Sequence, residues 1–423
     1  MNGPHDFLPA QILELLSEKG KAAIYPKMGI LAQADKAKNK RYNATIGIAK
    51  EDDGSVMRLK SIAELVEVEP EDAFPYAPGF GRMNLRNLWQ EMLYKKNPNL
   101  EEIFISKPVV TAALTHGLSI TGYLFLDEGE ELICSDLYWG NYRLVFEKWH
   151  KAKVKTYQTF KNGGFNVEGL REELLAPGDK KVVILNFPNN PSGYTITEEE
   201  TVKIIDVFTE ALSAGKRIVA IIDDAYFGLV YEEGVSKESF FVKLADLHEN
   251  LLAVKVDGPT KEDYVWGFRV GFLTYSYKGM TPEAAEVLQD KTGGALRGNA
   301  SNISNLSQSL LIKAYSSDTY EDEKREKFEI LKNRYKEVKR VLNDHPEYTE
   351  VFEALPFNSG YFMCLKPAEG IDPKTVHQIL LDKYDTGVIL TRGLIRIAFS
   401  STPLNDIPPL FENIYKASYD AKN

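Results

Sequence analysis

Two apolar, β-branched runs separated by one helix-sized segment constrain the fold of this chain more than any other feature. Lys181–Phe187 (KVVILNF) and Arg217–Ile222 (RIVAII) are typical of strands buried on both faces of a sheet. Between them, Thr197 followed by Glu200 predicts a capping box and a helix that continues to about Ala214. A strand, a helix and a strand at this spacing form the unit of a parallel sheet, so the sequence predicts an α/β fold.

The C-terminal part has a different pattern, with strands predicted at Gly360–Leu365 and Leu394–Phe399 and a helix near Lys374–Tyr384. This mixture predicts a small α+β domain beside the mostly parallel sheet, which helices would cover on both faces. The charged, amphipathic stretch Glu321–Asn343 predicts a long surface helix between the two domains. We therefore predict an N-terminal arm with part of the small domain (1–65), a large domain (66–315) and a small C-terminal domain (316–423).

Charge and cysteine content exclude several classes of protein. The net charge is −10, from 51 Lys and Arg against 61 Asp and Glu, which argues against a nucleic-acid-binding surface or an anionic membrane face. The two cysteines, Cys134 and Cys364, argue against a disulfide scaffold and a cysteine-based metal site. The uncharged run Val109–Leu126 contains His116 and two glycines, so we expect a buried strand end and helix there rather than a membrane span. With no signal peptide evident, these features predict a cytoplasmic protein.

One lysine follows a predicted buried strand at a position where two interpretations compete. The run beginning at Val254 ends in Asp257, and Lys261 comes directly after the turn Gly258-Pro259. A lone lysine at such a turn is most often solvated. The alternative is a Schiff-base lysine, with Arg269 eight positions later placed to bind a phosphate.

Polar groups at the other predicted strand ends would suit one phosphorylated pyridine ligand. The segment Thr115–Ser119 predicts a strand-to-helix turn whose amides and hydroxyl could bind an anion, although such turns are common. Asp223 could keep a ring nitrogen protonated, and Arg396 could bind the carboxylate of an amino acid. The remaining candidates are ring contacts: Asn190 and Tyr226 as hydrogen-bond partners of a ring oxygen, and Trp139 as a stacking partner.

Taken in order, these motifs resemble those of the class I, fold-type I family of pyridoxal-phosphate-dependent aminotransferases, over roughly residues 40 to 400. The stretch NATIGIAKEDDG from Asn43 is similar to the start of the aspartate and aromatic aminotransferase branch. The other segments that carry the resemblance are Tyr76 ahead of Gly81 and Leu85-Arg86, Trp139-Gly140-Asn141-Tyr142, Asn190-Pro191-Ser192-Gly193, Asp223-Asp224-Ala225-Tyr226, Lys261 with Gly267-Phe268-Arg269-Val270-Gly271, and Arg396.

The resemblance implies pyridoxal 5'-phosphate as cofactor, amino acids and 2-oxo acids as substrates, and a homodimer with shared active sites. It implies a role for each matching position. These are Lys261 as the Schiff-base lysine, Asp223 as partner of the ring nitrogen, Tyr226 and Asn190 as partners of the ring hydroxyl, Trp139 in ring stacking, Gly117, Leu118, Ser119 and Arg269 in the phosphate cup, Tyr76 at the phosphate of the neighbouring subunit, and Gly47 and Arg396 at the substrate carboxylate.

This chain departs from the family pattern around the lysine. The family usually has a phosphate-contacting serine where this chain has Gly258, and Thr260 is the candidate replacement. The loop Lys261–Trp266 is also more charged than the usual apolar version.

Two further residues are substrate-binding candidates with an ordinary alternative. Arg297, which we expect in a polar turn, resembles an arginine that reaches across the dimer to a distal carboxylate. An arginine there could equally form structural ion pairs. Tyr361 could line the side-chain pocket or simply pack in the core.

The function predicted from this resemblance is transamination with a dicarboxylic or aromatic amino acid. A carbon–sulfur β-lyase or a decarboxylase on the same skeleton is the alternative, because the residues that hold the cofactor are shared. A non-catalytic regulator with this fold would need an attached DNA-binding domain, and we expect no room for one before Asn43.

Overall fold

The computed structural model describes residues 14–22, 29–64 and 66–422. Its strands are β1 Tyr42–Asn43, β2 Val109–Thr111, β3 Glu131–Ser135, β4 Lys153–Tyr157, β5 Phe160–Lys161, β6 Gly164–Phe165, β7 Lys180–Leu185, β8 Arg217–Asp223, β9 Leu251–Asp257, β10 Gly271–Ser276, β11 Phe352–Ala354, β12 Met363–Pro367, β13 Thr386–Gly387, β14 Ile389–Thr391 and β15 Leu394–Ile397.

Its α-helices are α1 Glu18–Ala22, α2 Ile30–Lys36, α3 Lys60–Ala63, α4 Pro70–Ala73, α5 Met83–Lys96, α6 Ala113–Phe125, α7 Val167–Leu175, α8 Glu198–Ser213, α9 Phe241–Leu244, α10 Pro259–Glu262, α11 Pro282–Asn299, α12 Asn305–Tyr315, α13 Tyr320–Asp344, α14 Pro373–Lys383 and α15 Ile407–Lys422. A π-helix spans Arg143–Trp149, and short 3-10 helices span Pro98–Leu100, Pro346–Glu350, Phe399–Ser401 and Leu404–Asp406.

Seven strands form a mostly parallel central sheet in the order β2-β10-β9-β8-β7-β3-β4, with β10 antiparallel to both of its neighbours. The predicted strand–helix–strand unit is confirmed as β7, α8 and β8, and β7 pairs in parallel with β8. The capping box is present as well, because Glu200 N–H donates to Thr197 Oγ1 at 3.1 Å and Thr197 N–H donates to Glu200 Oε2 at 2.9 Å. The parallel strands β8 and β9 both end in aspartates, so Asp223 and Asp257 lie at the same edge of the sheet.

A second, four-stranded antiparallel sheet in the order β11-β12-β15-β14 forms the C-terminal part, with α13, α14 and α15 beside it. Arg396 lies on β15 and pairs in register with Cys364 of β12. The predicted fold class is therefore confirmed, a mostly parallel sheet with helices plus a small α+β part. The domain boundaries at residues 65 and 315 stay a prediction.

Two local predictions are wrong. The segment Thr115–Ser119 is not a strand-to-helix turn but the body of α6, because the strand β2 already ends at Thr111. The turn comes earlier because Ala113 takes a left-handed conformation, with φ of 63°, which sequence patterns associate with glycine. Arg297 does not lie in a polar turn but in the last turn of α11, because this helix continues to Asn299.

The sequence also argues against a membrane span, a cysteine-based metal site and a disulfide scaffold. Within residues 14–22, 29–64 and 66–422, no helix is long and apolar enough to cross a membrane. The same part of the chain contains no cluster of three His, Cys, Asp or Glu side chains suited to a metal ion. Cys134 and Cys364 are buried, unpaired thiols.

Candidate active site

A cavity of about 280 Å³ lies at the carboxyl ends of the central strands and reaches Arg396 on β15. Strand ends in open α/β sheets are where ligands bind, and both sheets contribute to this cavity. Most of the predicted site residues line it. They are Gly47, Leu118, Trp139, Asn190, Asp223, Tyr226, Thr260, Lys261, Arg269 and Arg396.

Lys261 lies on the short helix α10, which begins after Gly258 with Pro259 at its first position. Its amine projects into the cavity, with Nζ 5.2 Å from the centre of the Tyr226 ring. Burial, opposed by Asp223 and assisted by Arg269, lowers the pKa of the Lys261 amine to about 8. About a tenth of this amine is therefore neutral, and hence nucleophilic, at pH 7, far more than for an ordinary lysine.

Lys255, six residues earlier, is a second buried lysine with the opposite properties. Its ammonium forms ion pairs with Asp224 and with Asp257, the latter at 3.2 Å. Burial alone would lower the pKa of Lys255, but the two carboxylates outweigh burial and raise it. Lys255 is thus held charged inside the protein, which leaves Lys261 as the lysine suited to nucleophilic chemistry.

Asp223 is a buried carboxylate at the end of β8, held by two donors. Tyr142 Oη donates to Asp223 Oδ2 at 2.5 Å, and the backbone N–H of Ala225 donates to Oδ1 at 3.2 Å. Burial raises the pKa of Asp223, whereas Tyr142 and Lys261 oppose that rise. A fixed carboxylate in a dry site suits a cationic ring nitrogen, which would relieve the cost of its burial.

Tyr142 holds the Asp223 carboxylate in place, a contact that the sequence did not predict. Its ring packs edge-on against Trp139, which lines the cavity, and parallel to Tyr138. The signal was available, because Tyr142 follows Trp139 within the same aromatic segment. Asp223 lies 81 residues after Tyr142 in the sequence, and no local sequence pattern predicts a contact between residues so far apart.

The opposite end of the cavity is suited to an anion. The first residues of α6, Ala113, Leu114 and Thr115, line it, and the first amides of a helix have no intrahelical acceptor. Thr260 Oγ1 is buried there without a hydrogen-bond partner, and Arg269 adds a cation. An orphaned buried hydroxyl, free amides and a guanidinium match the acceptors of a phosphate ester, so these residues fit the phosphorylated cofactor.

The predicted phosphate cup is therefore corrected by about one helical turn. Of Gly117, Leu118 and Ser119, only Leu118 lines the cavity. Gly117 faces Val256 and Thr111, and Ser119 Oγ lies 3.2 Å from His150 Nε2 beside a different cavity. The left-handed Ala113 starts the helix earlier than the glycine pattern indicated.

Gly258 has a steric explanation. A Cβ at this position would lie 2.9 Å from both Gly271 Cα and Val270 O, closer than side-chain carbons approach backbone atoms. The close approach of β10 to the start of α10 thus leaves no room for the serine that the family usually has at this position. Thr260, with its unpartnered hydroxyl in the cavity, is the residue available for that contact.

Arg396 is a buried guanidinium that is only partly satisfied by the protein. It donates to Thr45 O at 3.2 Å and, at a long 3.5 Å, to Asn190 Oδ1, while its Nε has no partner. Its guanidinium carbon lies 4.3 Å from the centre of the Phe362 ring. A buried arginine with an unsatisfied donor facing a cavity is suited to bind a carboxylate. Gly47 and Phe362 line the cavity beside it.

Three other predicted site residues do not line the cavity within this chain. Tyr361 is buried beneath it, where its hydroxyl donates to the backbone carbonyl of Lys261 at 2.7 Å. Tyr76 is 88% exposed. Arg297 is exposed on α11 and donates to Ser301 Oγ at 2.9 Å. The roles of Tyr76 and Arg297 in a neighbouring subunit's site stay predictions.

Comparisons with known proteins show the family to which this chain is similar. The family model described as aminotransferase class I and II matches residues 17–414. The chain is 25% identical over 247 residues to the probable N-acetyl-LL-diaminopimelate aminotransferase of Bacillus subtilis, covering 58% of this chain and 57% of that relative. It is 30% identical over 202 residues to the probable aspartate/prephenate aminotransferase of Aquifex aeolicus, covering 47% and 48%. These matches thus span about half the length of both relatives.

The fold has a close counterpart among solved structures. The crystal structure of an aminotransferase from Anaerococcus prevotii superimposes with a TM-score of 0.84 over 97% of this chain and 100% of that one, at 24% sequence identity. At this identity the likeness shows a common fold.

Proposed function

The chain belongs to the aminotransferase class I and II family, and we propose that it moves an amino group between an L-amino acid and a 2-oxo acid. Pyridoxal 5'-phosphate is the cofactor of this family, and we propose Lys261 as the residue that bonds to its aldehyde. The observation that carries the proposal is one cavity lined by a half-buried lysine with a lowered pKa, a buried carboxylate and a buried guanidinium.

When bound, the cofactor supplies an electron sink that stabilises negative charge at the α-carbon of the amino acid. Asp223 would hold the ring nitrogen, and its raised proton affinity favours keeping a proton shared at that contact. Ala113, Leu114, Thr115, Thr260 and Arg269 would hold the phosphate.

Arg396 would bind the substrate carboxylate and so present the α-carbon to Lys261. Near its pKa of about 8, the amine of Lys261 can accept a proton and return it, which is the property required of a general acid–base group near neutral pH. Tyr226 and Asn190, whose side chains lie 3.5 Å apart, would orient the ring hydroxyl. Trp139 would cover one face of the ring and exclude water from it.

We further propose a dicarboxylic or aromatic amino donor, and a cytoplasmic homodimer with shared sites. The name of the Aquifex relative includes aspartate, a dicarboxylic amino donor, and the apolar side chains of Ile30 and Phe362 beside Arg396 in this chain's cavity would also suit an aromatic donor. Tyr76 and Arg297 support a second subunit, because both are exposed here while their family counterparts act across an interface.

The proposal is tested by substituting Lys261→Ala and assaying a panel of amino acids with 2-oxoglutarate. The wild type should release the matching 2-oxo acids, and the variant should lose at least about 10³-fold in rate because both the covalent and the proton-transfer roles disappear. Unchanged turnover by Lys261→Ala would refute the assignment. Pyruvate formed without an acceptor, together with sulfide from cysteine or homocysteine from cystathionine, would instead indicate the β-lyase.

A further inference from the structure

The two residues after Lys261 are acids, and both are buried. Glu262 and Asp263 are 4% and 0% exposed, although the chain leaves the helix α10 at this point. Lys324 Nζ lies 2.6 Å from Glu262 Oε2 and 3.0 Å from Asp263 Oδ1. Lys96 Nζ lies 2.8 Å from the same Glu262 oxygen. We call Lys96, Glu262, Asp263 and Lys324 the clamp cluster.

Tyrosines complete the bonding of the clamp cluster. Tyr315 donates to Asp263 Oδ2 at 2.9 Å, and Tyr320 donates to Asp263 Oδ1 at 2.7 Å. The partners come from three helices, since Lys96 is on α5, Tyr315 on α12, and Tyr320 and Lys324 on α13. Burial alone would raise the pKa of Glu262, but Lys324 and Lys96 outweigh burial and lower it to about 2. The Glu262 carboxylate is therefore ionised at physiological pH.

The helix that carries Lys261 cannot hold its position by itself. Four residues form a single turn, and a single turn is unstable without tertiary contacts. Its contacts point in two directions: Lys261 reaches the cavity and the Tyr226 ring, whereas Glu262 reaches α5 and α13. The clamp cluster is thus the polar anchor of α10 on the side away from the substrate.

Helix α13 also contacts the part of the site near Arg396. Ten residues after Lys324, the buried Arg334 donates through NH1 to Ser400 O at 2.6 Å and pairs with Asp52 at 2.7 Å. Ser400 follows the strand that carries Arg396 by three residues. Helix α13 therefore contacts both α10, which carries Lys261, and the segment that follows Arg396.

We propose that the clamp cluster fixes α10 against α13, so that Lys324 and Glu262 are positioning residues that set where the Lys261 amine lies relative to a substrate bound at Arg396. This inference rests on the proposed function and adds to it. Ion pairs that involve buried carboxylates are costly to form and contribute little to stability compared with apolar packing. A positional role therefore accounts for two buried carboxylates directly after the reactive lysine, each paired with the half-buried Lys324. It also accounts for the charged character of the segment after Lys261.

The test substitutes Lys324→Met in the cofactor-loaded enzyme, with Lys336→Met as control, because Lys336 is exposed on the same helix. The readout is the first-order rate of the cofactor's absorbance change with saturating L-aspartate or L-phenylalanine, whichever the wild type converts faster, without an acceptor. We expect a fall of about 10- to 100-fold, since small displacements of a reacting group cost this much. The donor concentration for half-maximal rate should stay within about threefold, because Arg396 is untouched. Lys324→Arg, which keeps the charge, should recover most of the rate.

A second readout does not depend on turnover. In the cofactor-free protein, trace acetylation followed by peptide mapping reports the reactivity of Lys261, and we expect a change of at least about threefold in Lys324→Met and none in Lys336→Met. Glu262→Gln, which removes a charge but keeps the side-chain shape, should act in the same direction and decides the question if Lys324→Met does not fold.

Wild-type rate and labelling in the folded variants would overturn the inference. So would a raised half-saturation concentration with an unchanged maximal rate, because that result would assign the cluster to substrate binding. Failure of the proposed function is separate, since it would appear as transamination by Lys261→Ala.

Discussion

At the scale of single residues, the reactivity of the site depends on the different surroundings of two lysines, Lys255 and Lys261. Lys255 is surrounded by carboxylates and keeps its charge, whereas Lys261 lies in a cavity where burial outweighs the attraction of Asp223. Arg269 contributes to the same effect, because a second cation nearby disfavours protonation of the amine. The neutral form of Lys261 is therefore available at a pH where an exposed lysine is almost fully protonated.

This difference predicts the pH dependence of cofactor uptake by the cofactor-free protein. Only the neutral amine attacks an aldehyde, and the pKa of Lys261 is lowered from 10.5 to about 8. The uptake rate should rise about tenfold per pH unit below pH 8 and level off above it. Stopped-flow absorbance over a pH series, referenced to the same reaction of a free lysine amine, measures the midpoint. A midpoint near 10.5 would contradict the structure.

Most of the site residues could be predicted from the sequence, because they directly follow predicted buried strands. Asp223 ends β8, and Lys261 follows β9 after a turn that Pro259 marks. The anion end of the cavity begins about one helical turn before the predicted phosphate cup, because Ala113 adopts a left-handed backbone conformation that is rare for a residue with a side chain. Thr260 was a candidate from the sequence, but its unpartnered hydroxyl is seen only in the structure. The contact of Tyr142 with Asp223 joins distant segments, and no local sequence pattern predicts such a contact.

At the scale of elements, the start of α6 is strained where it meets the anion end of the cavity. Ala113 has a φ of 63°, and a left-handed conformation costs a residue with a side chain about 1–2 kcal/mol. This strain positions the first turn of α6 against Thr260 and Arg269.

The strain predicts that Ala113→Gly increases the free energy of unfolding by about 1 kcal/mol, because glycine adopts this conformation freely. The matched control is Ala112→Gly, where φ is −75° and glycine should only add freedom to the unfolded chain. Urea denaturation of both variants measures the change in the free energy of unfolding. The m value, which is the slope of that free energy against urea concentration, should stay unchanged. Equal destabilisation by the two substitutions would contradict the assigned backbone.

Elements with strong periodicity or capping signals were predictable, and elements fixed by tertiary contacts were not. The helix α8 is set by its capping box, and α13 by its amphipathic charge pattern. The helix α10 has no such signal, because four residues including Pro259 become a helix only through the contacts of Glu262 and Tyr361.

At the scale of the whole molecule, the cavity exists only because both sheets meet. Asp223 and Lys261 come from the central sheet and its connections, whereas Phe362 and Arg396 come from the C-terminal sheet. The exposed side chains of Phe74 and Tyr76 lie outside this cavity. Large exposed aromatic groups of this kind are typical of an interaction surface.

The proposed shared sites predict that two impaired variants restore each other. Lys261→Ala lacks the amine, and Tyr76→Ala lacks the group expected to act in the neighbouring site. Mixed subunits should contain one site with both groups intact, so mixing the variants under exchange conditions should regain up to about a quarter of wild-type activity. Light scattering should show a dimer. Mixtures no more active than the separate variants would refute shared sites.

The central claim, that Lys261 bonds to the cofactor, is tested most directly by borohydride reduction of the cofactor-loaded protein followed by peptide mapping. The structure predicts one stable cofactor adduct, on the peptide containing Lys261, and none in Lys261→Ala. An adduct on the charged Lys255, on any other lysine, or on no lysine at all would contradict it.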